Sequence, residues 1–424
     1  MEQTEPPKSR LKVQMEMELD RISYLPSNVI DKILSCLTLK EAVRTSVFSS
    51  RWRNKWAMLS GLVFDEKCFS TENCATFVNI VYHVLLSHTV PIEKFVLSHN
   101  THRIPTIDID RWVLHLSRNF IKVFELCIPD GPKYKMPLCF FSYQDMIVLE
   151  LSQCLLEPPT TFKGFRTLKR VSFHRVTLAQ DVLENLILCC PLLECLEVIN
   201  CDGFTHLKID APNLRFLSFS GRLEDVSLQN TLNLAVVCFN SWRIYHRQDH
   251  VSSSNLAKFF IDLPYIQRLT IDGAAVQYLA VGDLPGRLPK PCLHLNFLSL
   301  PLKFYVLAEI LTTIYLLRSS PALKVLHVTV RLNLLRSVDE EAESRLDSLY
   351  DDVNCSFPKL QFVQITRFSG CKAELDFIKF LLVNSPVLET MAIRASSAGG
   401  SPEVLKKLLQ LRRTSSAEII YLDP

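Results

Sequence analysis

Glycine is scarce, at 11 of 424 residues, against a usual ~7%. Enzymes that cradle nucleotide phosphates spend glycine on their loops, and neither G-x-x-x-x-G-K-[ST] nor G-x-G-x-x-G occurs. Excess charge is missing too: Lys plus Arg is 47 and Asp plus Glu 44. A dedicated nucleic-acid binder carries a strong basic surplus, so no nucleic-acid partner is expected. Long apolar runs are absent. The most apolar stretch, residues 304–317 (FYVLAEILTTIYLL), is shorter than the ~20 residues of a membrane span and contains Glu309. The first twenty residues are charged, with no apolar core, so no secretory leader is expected. Cysteine is plentiful, at 14. In an intracellular chain, in cytoplasm, nucleus or both, these are expected to be reduced thiols rather than a disulfide framework.

What is present is a repeat. The octad P-x-[LI]-x-x-[LVM]-x-[VIF] stands at Pro191, Pro212, Pro264, Pro321, Pro358 and Pro386. Without the proline it recurs from Ile92, Ile121, Met146, Leu168, Leu234 and Leu295, the copy at Ile121 (IKVFEL) being the weakest. The mean step between copies is about 27 residues, inside the ~20–29 of a leucine-rich repeat. The last two apolar positions of each unit are two apart, on one face of a short strand. Helical stripes lie between units: Val182, Leu186, Cys189 and Cys190; Leu307, Ile310, Leu311, Ile314 and Leu317; Leu375, Ile378 and Leu382. Each runs into a proline, which cannot continue a helix. Between Leu193 and Phe239 extra strand-like units at Phe204 and Leu223 shorten the step to about ten residues, too few for a helix. An Asn or Cys follows the strand at Asn100, Cys154 and Cys201, where it can bond neighbouring backbone. The expected fold is an α/β solenoid, an irregular leucine-rich-repeat arc with a parallel concave sheet. A small all-α module of three helices precedes it.

That module is residues 20–60. Leu25-Pro26 leads into a helix with Val29, Ile33 and Leu37 on one stripe and Ile30 and Leu34 beside it. Thr38-Leu39-Lys40-Glu41 is a capping box for a second helix carrying Val43 and Val47. Ser49 or Ser50 is expected to cap a third, with Trp52 and Trp56 one turn apart. The string D-R-I-S-x-L-P-x-x-[VI]-[IL]-x-x-I-L-S-x-L followed by K-x-A-V-R-T-S-V-x-S-x-R-W-R-x-x-W resembles an F-box of the large plant family. Residues from about 355 resemble the FBD domain through Phe368, Gly370, Glu374, Leu375, Phe377, Lys379, Leu381, Leu382, Asn384 and Leu388. Arg367 replaces that domain's usual glycine, and LRRTSSAEIIYLD resembles its closing strand. The whole chain is thus similar to F-box/FBD/LRR-repeat proteins. The expected layout is a disordered tail at 1–19, the F-box at 20–60, the repeat solenoid at 61–350 and the FBD at 351–424.

The resemblance implies a substrate-recruiting subunit of an SCF-type (Skp-cullin-F-box) ubiquitin ligase, not an enzyme. It implies docking on a Skp-type linker, and through it on cullin and RING subunits, by Leu25, Pro26, Ile33, Leu34, Val43, Val47, Trp52 and Trp56. The alternative is a repeat scaffold that binds protein without any ligase. For a protein substrate the expected surface is the strand residues between core positions. These are Arg170, Ser172 and His174; Glu197; Phe216 and Ser218; Arg268, Thr270 and Asp272; Val325, His327 and Thr329; Phe362 and Gln364; and Thr390 and Arg394. No cofactor is expected. His246-x3-His250 with Cys238, and His99-x2-His102, have ligand-like spacing but no second pair nearby, so no metal is expected. The acidic run from Asp339 reads as a solvated loop or helix.

Overall fold

The proline octad is a turn before it is a strand. At all six prolines the N–H of the first apolar residue bonds the carbonyl of the residue before the proline, as Leu193 N to Cys190 O (3.1 Å) and Leu323 N to Ser320 O (3.1 Å) show. Proline is therefore residue i+1 of a β-turn, where its fixed φ is already correct. The copies without proline at Leu168, Leu234 and Leu295 close the same i to i+3 bond. The strand starts two residues after the turn.

The computed structural model describes residue 22 and residues 25–422, apart from 67–72, 99–102, 245–254, 261–262, 274, 281–287, 289, 332–355 and 397–401. The expected tail at 1–19, the two His pairs, Asn100 and the acidic run lie outside the described residues. The chain divides into two compact units, 1–168 and 169–424.

In the first unit the strands Gly61–Asp65, Lys94–Ser98, Val123–Cys127 and Val148–Ser152 pair in parallel in chain order. The first of them was not among the repeat copies, and the weak copy at Ile121 is a regular strand. Inward residues stay in register (Leu62, Phe95, Phe124, Leu149), and all are buried. Phenylalanines stack along the interior, with Phe64–Phe95, Phe95–Phe124 and Phe124–Phe140 centroids 5.8, 6.0 and 5.4 Å apart. The helices Cys74–Ser87 and Thr106–Leu116 cover this core. The second turns Ile109, Trp112, Val113 and Leu116 inward at spacings of three and four.

In the second unit ten strands, from Arg170–His174 to Glu418–Leu422, run parallel. One carbonyl per coil accepts two N–H groups of the next, as Lys169 O does from Glu194 and Cys195 and Lys324 O from Gln361 and Phe362. Each coil thus satisfies its neighbour's entry, and the stack buries a core that no single coil could. Where the step is shortest the outer layer is a two-stranded sheet, His206–Asp210 with Asp225–Gln229, and no helix. Cys154 and Cys201 donate weak bonds to the Ser152 and Phe173 carbonyls. Three helices carry the stripes with adjustments. Gln180–Leu188 buries Leu183, Leu186 and Ile187, followed by Cys190, and leaves Val182 only half-covered. The buried stripe is rotated by one residue from the expected one. Leu307–Arg318 buries Ile310, Ile314 and Leu317 but half-exposes Leu307 and Leu311. Lys372–Asn384 buries all three expected residues.

Candidate functional site

The N-terminal module is two short helices and a pair of turns. In Ser27–Ser35 the apolar residues divide into two stripes: Ile30 and Leu34 are buried, while Val29 and Ile33 face out, each 37% exposed. In Leu39–Arg44 the Thr38 side chain accepts from the Glu41 N–H and Glu41 accepts from the Thr38 N–H, completing the capping box. The bonds that the Glu41 carboxylate accepts from the Thr38 N–H and the Thr38 hydroxyl, both 2.9 Å, hold it below its ordinary pKa. This helix buries Leu39 and Ala42. Val43 stays exposed, and Val47, in the 3-10 turn that follows, is 84% exposed. Leu25 is half-buried and Pro26 exposed.

The expected third α-helix does not form. Residues 49–54 are turns, followed by a 3-10 helix, Lys55–Met58. The Trp52 and Lys55 N–H groups bond the Ser49 and Trp52 carbonyls, i to i+3, so the segment closes as successive turns. The Arg53 carbonyl is taken instead by Ser46 Oγ at 2.7 Å. Both tryptophans turn inward, Trp52 at 1% and Trp56 at 8% exposure, and the Trp52 indole N–H bonds the Ile22 carbonyl at 3.1 Å. Leu34, Trp52 and Trp56 therefore build the module's own core. The outward residues that sequence reasoning missed are Val29, Phe48 and Met58. Seven of the twenty exposed large apolar side chains among the described residues lie between 22 and 58, so outward apolar surface is concentrated in this module. Beside Val43 is an apolar cleft of about 490 Å³ lined by Trp56, Thr76, Ile80, His83 and Val84.

On the strand face of the second unit, every nominated residue is half-buried or exposed. Register aligns Arg170, Phe216, Arg268, Val325, Phe362 and Thr390 in one row, and Ser172, Glu197, Ser218, Thr270, His327 and Gln364 in the next. Ser172 donates to Glu197 at 2.9 Å, and Asp272 is paired with Arg331 at 2.7 Å. Sequence reasoning missed Cys195, Val236, Cys238, Phe297 and Ser299, which occupy the same rows. Reading the outward positions of every octad, including those at Pro191, Leu234 and Leu295, would have found them.

Residues 22–63 match the F-box domain, 109–328 the LRR repeats described for the FBD-associated F-box protein At5g56370, and 353–393 the FBD. The chain is 38% identical, over 95% of its length and 99% of the relative's, to the F-box/FBD/LRR-repeat protein At1g13570 of Arabidopsis thaliana. It belongs to the F-box/FBD/LRR-repeat family. Two further Arabidopsis thaliana relatives are the FBD-associated F-box protein At5g22730, 27% identical over 94% of the chain and 93% of its own, and F-box/LRR-repeat protein 13, 26% over 96% and 97%. An F-box followed by such repeats supports an adaptor role in F-box-dependent ubiquitination.

The FBD pattern of this F-box/FBD/LRR-repeat chain has a physical reason. Glu374 is 2% exposed, and its carboxylate accepts from the N–H groups of Ser369 and Gly370 and from Ser369 Oγ, at 2.6–2.9 Å. It closes the loop that Gly370 turns at φ +82°. Arg367, at φ 61°, occupies the left-handed region in which a side chain costs ~1–2 kcal/mol. Arg367→Gly should therefore raise stability by about 0.5–1 kcal/mol, read as a higher urea midpoint; a lower midpoint would show that the arginine side chain outweighs the backbone gain.

Cys127 has the surroundings of an unreactive thiol. Cys127, with Glu150 Oε1 3.9 Å away, is pushed up to about 11 by burial and then by Glu150 and Glu125. Glu125 is itself raised, by burial and by Glu150, its in-register neighbour. A thiol protonated up to pH ~11 is a poor nucleophile at neutrality. Alkylation of Cys127 at pH 8, followed by mass spectrometry, should run ~100-fold slower than that of a free small thiol and accelerate as pH climbs toward 11. Equal rates would contradict its environment. Among the described residues no His/Cys/Asp/Glu cluster could hold a metal, and no helix is long and apolar enough to cross a membrane.

Proposed function

We propose that this chain is the substrate-recognition subunit of an SCF-type ubiquitin ligase. Its F-box docks the Skp-type linker, which joins it to cullin and RING subunits, and its strand face holds a protein substrate. The observation that carries this reading is the burial split in the first helix. Ile30 and Leu34 complete the module's core, while Val29 and Ile33 on the same nine residues are left to solvent, together with Val43 and Val47. Exposed valine and isoleucine at helical spacing fit a helical partner's groove. Leu25 and Pro26 sit at the start of that helix and extend the surface. The chain supplies proximity: substrate held near the transferring enzyme reacts as if at high effective concentration, and no side chain here needs to be catalytic. The reading puts the chain in the cytoplasm, the nucleus or both.

The test is capture of the full chain by purified Skp-type linker, against a chain starting at Ser60. The full chain should bind and the shortened one should not, with far-ultraviolet circular dichroism confirming that the repeats stay folded. Equal capture of both would overturn the docking assignment and leave a scaffold without a ligase.

A further inference from the structure

The strand face of the second unit is chemically uneven, and it concentrates around Phe297. Phe297, Val325 and Phe362 stand side by side in one row on three consecutive strands. Neighbouring strands are ~4.8 Å apart, so the two rings flank Val325 at a spacing of about 10 Å. His327, in the next row, meets both rings edge-on, with centroids 5.0 Å from Phe297 and 5.9 Å from Phe362. Arg268, one strand back, lays its guanidinium over the Phe297 ring, Cζ 4.0 Å from the centroid. The rings are half-buried and Arg268 is exposed.

Arg268 is the charged member of this cluster. Among the described residues no carboxylate stands within ion-pair distance of it, and Asp272, on its own strand, is engaged by Arg331. Stacking on a ring uses the face of a guanidinium and leaves its edge N–H groups free, in the fork that matches a carboxylate. Stacking also fixes the side chain beforehand, which reduces the entropy lost on pairing. His327 adds no competing positive charge at neutral pH, since burial and Arg268 hold its pKa below the ordinary value. Aromatic rings with an arginine are the usual composition of binding hot spots. The cluster lies on an open sheet face, which suits an extended protein segment, whereas small ligands take enclosed clefts.

We propose that the Arg268–Phe297–His327–Phe362 cluster is the substrate anchor of this chain, and that it captures an extended protein segment carrying an Asp or Glu within about three residues of a large apolar side chain. The apolar side chain packs on top of the Phe297, His327 and Phe362 rings, and the carboxylate pairs with the Arg268 edge. This rests on the reading of the strand face as the substrate surface and names the chemistry that surface selects.

The test is random-peptide display on the full-length chain. Peptides enriched on the wild type should carry Asp or Glu near Leu, Ile, Met or Phe. Phe362→Ala should weaken their binding by about tenfold or more, and selection on Arg268→Glu should exchange the acidic preference for a basic one. Circular dichroism checks that these surface variants remain folded. Selected peptides without acidic enrichment, an unchanged preference on Arg268→Glu, or no enriched peptide at all would overturn the proposal. The wider reading is separated by a further variant, Arg170→Ala with Glu197→Ala. Peptides lost there but kept on Phe362→Ala retain the strand face and reject this anchor; peptides indifferent to every strand-face variant reject both.

Discussion

The full chain carrying Val43→Asp and Val47→Asp will lose capture by the Skp-type linker by at least ~100-fold, about 2.7 kcal/mol. Both valines already face solvent, Val47 at 84%. An aspartate at either place costs the free module little, because it displaces no core atom. In a closed apolar interface each carboxylate would have to be desolvated without a partner, a cost of several kcal/mol. The effect therefore falls on the complex. Tryptophan fluorescence provides the control, since Trp52 and Trp56 are buried within the same module and would report its unfolding. Trp52→Ala should behave differently. It empties the module's centre and removes the indole bond to Ile22, at about 3–5 kcal/mol, so binding and fluorescence should be lost together. A doubly aspartate-substituted chain that binds like the wild type would remove these valines from the interface.

Gly203→Ala will destabilise the second unit by about 3 kcal/mol or more, measured as a drop in urea midpoint. Two causes act together. Gly203 has φ +94°, a backbone conformation that side chains rarely adopt. A Cβ built there would stand 2.4 Å from the Leu178 carbonyl oxygen and 3.0 Å from its carbon. These are backbone atoms, and Leu178 N and Asp202 O, beside them, are hydrogen-bonded at 3.1 Å, so neither segment can move alone. In a stacked repeat the loss is felt at the coil and at its neighbours. A variant within 1 kcal/mol of the wild type would mean that the loop has another way to close.

Much of this protein was legible because its information is local. P-x-L-x-x-L-x-V contains its own turn, its own strand and its own inward face: proline pre-sets the turn, and alternation assigns burial. Parallel register then carried the outward positions from one coil to the next, so surface residues such as Arg268, His327 and Phe362 could be named from the octad alone. The Thr38–Glu41 capping box is equally local, involving residues three apart.

Other features rested on partners distant in the chain. Val29 and Ile30 are adjacent apolar residues at a helix start, and only the packing of the module against its neighbours turned one out and the other in. The tryptophans had the spacing of a helix, but the Ile22 carbonyl and Ser46 hydroxyl drew that segment into turns. The strand Gly61–Asp65 had no octad before it, and exists because Lys94–Ser98 gives it a parallel edge to pair with. The gathering of Arg268, Phe297, His327 and Phe362 joins residues up to 94 positions apart by number. Short-range backbone preferences can be read from neighbouring letters, whereas burial and side-chain contact are properties of the closed stack, in which each coil's environment is made by the others.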